Sequence, residues 1–323
     1  MSAGVSRGLP RSQREVRPKI VLGSRGSELA RVQTGLVKTA LEKAWPNLEV
    51  EIQIIKTEGD QRGAESIDRT AGRKGLFTVE IERVLSAGRV DVAVHSAKDL
   101  PSTPANGLEI RAVLPRAGVE DILVSKSHGG LDALPEGSAI GTGSVRRQYQ
   151  LRWQRPGLKL VPLRGNVPTR LRKLGENPWE AIVLARAGLE RLGCSIEADN
   201  LRFGPHSFSF TILNREAFLP AGGQGVIALQ VRNDDTKTMQ LLEPVNDLPT
   251  LQCLRAEREF LRLLGADCGT PVGVLATLRS GVITMHGQVF GGESVIPKKA
   301  WVEGAGTDPE LVARRLKEAI DGS

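Results

Sequence analysis

The chain has 323 residues, enough for two or three domains with buried cores, so a mini-protein and a fibre are excluded. Hydrophobic residues make up 40% and charged residues 25%, which excludes disorder throughout. Basic residues exceed acidic ones by seven, and 31 of the 44 basic residues are Arg, which binds carboxylates and phosphates in a bidentate manner. A GC-rich genome is an equally good explanation of the Arg count in bulk.

The cysteines and histidines argue against a metal site. Cys194, Cys253 and Cys268 are too few and too scattered for a disulfide framework or a closed zinc site. None of the four histidines pair at metal-ligand spacing, so we expect no metal. The few cysteines indicate a reducing, cytoplasmic compartment. The longest apolar runs, such as 181–185, fall far short of the roughly 20 residues that span a bilayer, so we expect no membrane segment.

The N-terminal residues 1–18 are rich in Arg, Ser, Gly and Pro and have no apolar core. This composition predicts a disordered basic tail and not a secretory signal. An organelle transit peptide stays open, although Glu15 and the lack of an amphipathic stripe count against it.

Strands and helices alternate in the first part of the chain. The predicted elements are a strand at 19–23, a helix capped by Ser24 or Ser27, a strand at 50–57, a helix at 76–86 and a strand at 91–95. This alternation predicts an α/β domain over residues 19–113.

A second α/β domain of similar size is predicted over residues 114–217. Its predicted elements are a strand at 122–124, a strand at 139–144 that runs into a helix, a strand at 159–163, a helix at 169–174 and a strand at 181–185. The polar segment 199–209 contains Gly and Pro and is predicted to be an extended loop.

The last part of the chain shows a different pattern. A lone strand at 226–231 has no helix partner, so we expect residues 218–243 to return to the first domain. Residues 248–323 contain one amphipathic helix, alternating strands such as 282–286 and a final helix at 309–320, which predicts a small α+β domain.

Several Arg residues stand where a strand ends and a helix begins: Arg25, Arg146, Arg147, Arg164 and Arg170. Ligands of open α/β sheets bind beyond the carboxyl ends of the strands, so this pattern predicts a polyanionic ligand. Any one of these Arg residues could instead pair with a surface carboxylate. Nucleotide fingerprints are absent, and twelve scattered aromatic residues form no stacking platform, so nucleic acid is not expected as a partner.

Two further segments could carry chemistry. The strand at 91–95 leads to Lys98 and Asp99, and a carboxylate there could stabilise a developing cation or move a proton. A helix cap or a surface Lys–Asp pair is the alternative. Cys268 lies in a loop of small residues, although from the bare sequence a buried inert thiol is favoured over a nucleophile.

Eight short segments follow one another in order between residues 19 and 273: GSRGSELA (23–30), GRKGLF (72–77), HSAKDLP (95–101), GTGSVRR (141–147), LRGN (163–166), AGLERLG (187–193), PAGGQG (220–225) and AER (256–258). Each segment alone is a weak signal, but together they closely resemble the porphobilinogen deaminase family, also called hydroxymethylbilane synthase. The resemblance implies two similar periplasmic-binding-protein-like α/β domains with a hinge and a small C-terminal α+β domain.

The resemblance also implies an activity. Family members are transferases of porphyrin and heme biosynthesis that join four porphobilinogen molecules head to tail, release ammonia each time, and yield linear hydroxymethylbilane. They carry a covalent dipyrromethane cofactor on a cysteine thioether, and Cys268 is the matching position. A cytoplasmic monomer is expected.

The resemblance assigns roles residue by residue. Asp99 matches the catalytic carboxylate that stabilises the cationic methylene-pyrrole left by ammonia loss. The expected cofactor-binding residues are Lys98, Ser144, Arg146, Arg147, Arg170, Arg191 and Gln224, and the expected substrate-binding residues are Arg25, Ser27, Lys74 and Arg164.

Some positions depart from the family pattern: Gly143 replaces a Ser, Ala266 and Asp267 replace a Gly pair, and Arg186 replaces a small residue. Because the catalytic Asp, the Cys and the Arg set are retained, we expect an active enzyme. A non-catalytic anion-binding protein and a pseudo-enzyme that lost cofactor assembly through Asp267 are the alternatives.

Overall fold

The computed structural model describes residues 18–56, 78–103, 105–127, 129–194, 200–203, 205–266, 269–291 and 294–323. The predicted tail up to residue 17, part of the predicted helix at 76–86, Lys74, Asp267 and Cys268 therefore lie outside the described residues.

The strands, in chain order, are β1 (Lys19–Arg25), β2 (Glu49–Ile55), β3 (Val92–Ser96), β4 (Leu108–Val113), β5 (Asp121–Ser125), β6 (Ala139–Gly141), β7 (Lys159–Val161), β8 (Ala181–Ala185), β9 (Asn200–Phe203), β10 (His206–Ile212), β11 (Ile227–Arg232), β12 (Val272–Arg279), β13 (Val282–Gly291) and β14 (Ser294–Ala305). The described helices are α1 (Glu28–Ala44), α2 (Val79–Ser86), α3 (Val145–Gln154), α4 (Val167–Glu176), α5 (Arg186–Arg191), α6 (Thr236–Leu242), α7 (Leu248–Leu263) and α8 (Pro309–Asp321). Short 3-10 turns lie at Ala97–Asp99 and Glu243–Val245.

The first sheet has five strands in the order β2-β1-β3-β11-β4. β1 is parallel to β2 and β3, whereas β11 is antiparallel to β3 and β4. Apolar residues of α1 and α2 belong to separate core clusters, and Ile20 and Val21 of β1 contribute to different ones. Because side chains alternate across a strand, the two helices cover opposite faces of this sheet. The late strand β11 is an interior strand of the first sheet, between β3 and β4.

The second sheet has six strands in the order β7-β6-β8-β5-β10-β9. The prediction of an extended loop at 199–209 is wrong, because β9 and β10 pair as antiparallel strands at the edge of this sheet. β10 reads HSFSFTI, an apolar alternation of period two that buries Phe208. Pro205 lies between the two strands, and the Gly and Pro in the sequence of this segment obscured the strand pattern.

The third sheet is the antiparallel meander β12-β13-β14. Phe260 of α7 and Leu316 of α8 pack against it in one core cluster. The predicted fold class, two α/β domains and a small α+β domain, is confirmed. The exact domain boundaries given above stay a prediction. Within the described ranges, no helix is both long and apolar enough to cross a bilayer.

The chain passes between the first two sheets twice, through residues 114–120 and 213–226. Arg116 in the first crossing forms a buried ion pair of 2.6 Å with Glu257 of α7 and also donates to the carbonyl of Gln224 in the second crossing. Glu257 accepts from the N–H groups of Gly223 and Ala276 as well. One fully buried carboxylate thus joins both crossings to the third sheet.

Candidate active site

A cavity of about 60 Å³ opens where β1 and β3 end and α1 begins. Arg25 is the last residue of β1, and Ser27 caps α1 by accepting from the N–H of Ala30 at 3.3 Å. Of the two caps predicted, Ser24 and Ser27, the structure has Ser27. The exposed carboxylate of Asp99 lies in the same cavity wall, so the structure brings Arg25, Ser27 and Asp99 together.

A smaller cavity of about 30 Å³ lies between the first and second domains and is lined by Lys98 and Arg191. Gln33 and Ser96 line both cavities and are hydrogen-bonded to each other, with 2.9 Å between Nε2 of Gln33 and Oγ of Ser96. This pair forms the partition between the cavity that holds Asp99 and the one that holds Lys98.

Two further predicted residues, Lys98 and Arg170, interact electrostatically with Asp99. Burial lowers the pKa of Lys98 to about 8, with Asp99 opposing the shift and Arg147 adding to it. Burial also lowers the pKa of Arg170 to about 10, and its charged neighbours are Arg147 and Asp99. The charges of Asp99 and Arg147 therefore act on both Lys98 and Arg170.

Arg146 and Arg147, in the first turn of α3, share one buried carboxylate that the sequence analysis missed. Arg146 donates to Asp121 at 2.8 Å and Arg147 donates to it at 2.7 Å. Nε2 of Gln224 adds a third hydrogen bond to Asp121, at 2.9 Å. Burial alone would raise the pKa of Asp121, but the charges of Arg146 and Arg147 outweigh it and hold this pKa well below its usual range.

This cluster fits a ligand rich in carboxylates. Two guanidinium groups face one carboxylate, so the cluster retains a net positive charge. The Nε atoms of Arg146 and Arg147 are buried and have no hydrogen-bond partner among the described residues. A buried donor without a partner is costly, and a carboxylate of a bound dipyrromethane would be a suitable acceptor.

His95 is a further residue of the cavity to which the sequence analysis gave no role. Its Nε2 lies 3.0 Å from Oε1 of Gln230, and Nε2 of Gln230 donates to Glu82 at 2.9 Å. Burial lowers the pKa of His95 to about 4, so the imidazole is neutral at physiological pH. A neutral His95 adds no positive charge beside Arg25.

The predicted residues Ser144, Arg164 and Gln224 do not line either of the two cavities. Ser144 precedes α3 as its N-cap without a side-chain cap bond, and Arg164 is partly exposed before α4. Gln224 is buried behind Asp121. Burial raises the pKa of Cys194, and it raises that of Cys253 to about 11, which makes both poor nucleophiles at neutral pH.

The architecture defines a class of protein: two α/β domains joined by a double crossing, with cavities lined by Arg25, Lys98 and Arg191. Residues 20–240 match the family model described as porphobilinogen deaminase, dipyromethane cofactor binding domain, and residues 251–321 match that of the porphobilinogen deaminase C-terminal domain. The chain belongs to the porphobilinogen deaminase family. The predicted family, its transferase activity and the dipyrromethane cofactor are thereby confirmed.

Curated relatives agree along most of the chain. The porphobilinogen deaminase of Roseiflexus sp. (strain RS-1) is 44% identical over 84% of this chain and 85% of its own. That of Syntrophobacter fumaroxidans is 40% identical over 93% of this chain and 97% of its own. Among solved structures, the methionine-binding protein MetQ matches with a TM-score of 0.43 at 13% identity, over 70% of this chain and 91% of its own.

Proposed function

We propose that this chain joins porphobilinogen units into hydroxymethylbilane with Asp99 as the catalytic carboxylate. The observation that carries the proposal is the position of Asp99. It is an exposed residue in the wall of a cavity that Arg25 also lines, and its charge acts on Lys98 and Arg170. Each condensation breaks the bond between the aminomethyl carbon and nitrogen, and ammonia leaves. The carbon then bears positive charge, which a fixed carboxylate stabilises.

In addition, we propose that the cationic side chains of the crevice bind the carboxylates of the substrate. Porphobilinogen carries an acetate and a propionate, so every added unit brings two carboxylates into the crevice. We assign the binding of the incoming substrate to Arg25 and Ser27, which line the same cavity as Asp99. We assign the same role to Lys74 and Arg164 from the family pattern.

The cofactor would be held by the cations of the second domain and by Lys98. When bound, dipyrromethane supplies a covalent primer to which the first substrate is joined. Arg146 and Arg147 offer their unpaired Nε atoms to its carboxylates. The other residues assigned to it are Lys98, Ser144, Arg170, Arg191 and Gln224, with Cys268 as the covalent anchor.

Both cavities are lined by residues of this chain. We propose that the protein acts as a monomer. The few cysteines favour a reducing compartment, and we propose the cytoplasm as the place of action.

Intact mass spectrometry tests the anchor. Purified wild-type protein is expected to carry an added mass of two deaminated pyrrole units, and Cys268→Ser is expected to lack it. Cys194→Ser, which removes a partly buried thiol elsewhere, is the matched control and is expected to keep the adduct. A wild type that stays unmodified after incubation with porphobilinogen would favour an anion-binding protein or a pseudo-enzyme.

Asp99→Ala tests the carboxylate. Because the Asp99 side chain is exposed, its removal is expected to leave folding intact while bilane formation is lost. Retained turnover in this variant would show that another group stabilises the cation.

A further inference from the structure

The segment AER (256–258) contains a charged residue that the proposed function does not use. Glu257 forms the buried pair with Arg116, but Arg258 points to a different part of the first domain. Nη2 of Arg258 donates to the carbonyl of Pro101 at 2.7 Å and lies 3.4 Å from that of Ser102. Both acceptors directly follow the turn that carries Asp99.

Arg258 makes no ion pair within the described part of the chain. Burial lowers its pKa to about 10, and Glu82 opposes the shift only as a nearby charge. A desolvated guanidinium bound to backbone carbonyls alone is a weak source of stability, because the cost of dehydration is not offset by a counter-ion. What the contact does provide is a fixed position, since one nitrogen of a rigid guanidinium lies within hydrogen-bond distance of both carbonyls.

A second contact completes the link between α7 and the turn. Oγ of Ser102 donates to the carbonyl of Ala266 at 3.2 Å. Ala266 follows α7 and precedes Cys268 by two residues. Its own N–H is bonded to the carbonyl of Leu261 in the last turn of α7. Ala266 is thus tied to both the helix and the first domain.

The turn itself is tight enough to transmit a shift from Pro101 to Asp99. The N–H of Leu100 closes the turn on the carbonyl of Ala97, and Pro101 has a fixed φ. On the other side, the N–H of Ala97 is bonded to the carbonyl of Val226 in the second crossing. Asp99 therefore lies between two anchored points, one of which is held by Arg258.

We propose that Arg258 is a positioning residue of the condensation. With Ser102 it holds the turn that carries Asp99 in a fixed position beside Ala266, close in sequence to the cofactor anchor. This inference rests on the proposed function, because Arg258 is argued to fix where the catalytic carboxylate of Asp99 lies relative to the growing chain.

The test compares Arg258→Lys with Arg255→Lys in the cofactor-bearing enzyme. Lys keeps the charge, but its ammonium stands on a shorter side chain and cannot take the position of Nη2 between the two carbonyls. Arg255 is an exposed residue on the same helix and provides the same substitution as a control. Intact mass gives the fraction of molecules that carry the cofactor, and kcat is expressed per cofactor-bearing molecule.

Arg258→Lys is expected to keep its cofactor and a KM within about twofold of wild type, whereas kcat falls about ten- to a hundredfold, the loss expected from a misplacement of about 1 Å. Ser102→Ala is expected to lower kcat by a smaller factor. The double variant is expected to be no worse than Arg258→Lys, because both changes break one link.

An Arg258→Lys enzyme with the kcat of Arg255→Lys overturns the inference. So does a raised KM at unchanged kcat, which would make Arg258 a substrate-binding residue. If Arg258→Lys does not fold, Ser102→Ala decides, and an unchanged kcat there overturns the inference. Wild-type protein that forms no bilane would overturn the proposed function itself.

Discussion

Asp121→Asn is the substitution that tests the buried cation cluster most directly. The side chain keeps its shape but loses its charge, so Arg146 and Arg147 are left without a counter-ion inside the protein. Breaking a buried ion pair from one side typically costs about 3–5 kcal/mol. Here two pairs share the carboxylate, but Asn keeps one acceptor for Gln224 or one Arg, so we expect a loss of about 3 kcal/mol.

The matched control is the neighbouring Glu120→Gln. Glu120 pairs with Arg186 at 3.5 Å and Arg215 at 3.8 Å, both at partly exposed positions. Such pairs contribute about 1 kcal/mol or less. Urea unfolding of wild type and both variants at pH 7 gives the free energies of unfolding, and an Asp121→Asn loss no larger than that of Glu120→Gln would refute the reasoning.

The same pair of proteins gives a pH test with a defined sign. The pKa of Asp121 is depressed in the folded protein, so its contribution is fully present above the unfolded value of about 3.9 and is lost as pH falls below it. The stability difference between wild type and Asp121→Asn is therefore expected to be constant from pH 7 to about 5 and to shrink in more acidic solution. A difference that grows on acidification would contradict the assignment.

Two further predictions concern the crevice and its departures from the family. Because the pKa of Lys98 is lowered to about 8, kcat/KM of the wild type is expected to fall in alkaline solution, with an apparent pKa of about 8 or above. Lys98→Arg stays charged and is expected to show no such fall. Identical pH profiles of the two proteins would contradict the role of Lys98. Gly143→Ser is expected to destabilise the protein by about 1–3 kcal/mol in thermal or urea unfolding, because an added Cβ would lie 2.4 Å from the carbonyl oxygen of Leu163. Gly35→Ser, where an added Cβ meets nothing within 4 Å, is the control and is expected to leave the protein at least as stable.

Much of the fold follows from local patterns. The strand at 181–185 and the helix after Ser27 were predicted because apolar periodicity and a capping side chain lie within a few residues of each other. The hairpin of β9 and β10 was missed, since its Gly and Pro suggested a loop and its pairing with β5 is a long-range contact. Short strands that depend on a distant partner leave little signal of their own.

The residues of the site also differ in whether a local sequence pattern predicts them. Asp99 and Arg25 stand at strand ends, and the carboxyl-end rule for α/β sheets brings them together. Asp121 gives no such signal, because Glu120 and Asp121 are adjacent acids and only the fold buries one while the other stays near the surface. Arg258 is similar, since its acceptors are backbone carbonyls that carry no side-chain signature.

Asp121 also explains how two buried Arg residues can be stable before a ligand arrives. One carboxylate satisfies one Nη atom of each guanidinium, and the carbonyls of Leu219 and Val183 accept further bonds. The remaining positive charge and the two unpaired Nε atoms are then already fixed in place. Donors that are held in place in this way need no reorganisation on binding, which is the condition under which charge-assisted hydrogen bonds contribute most.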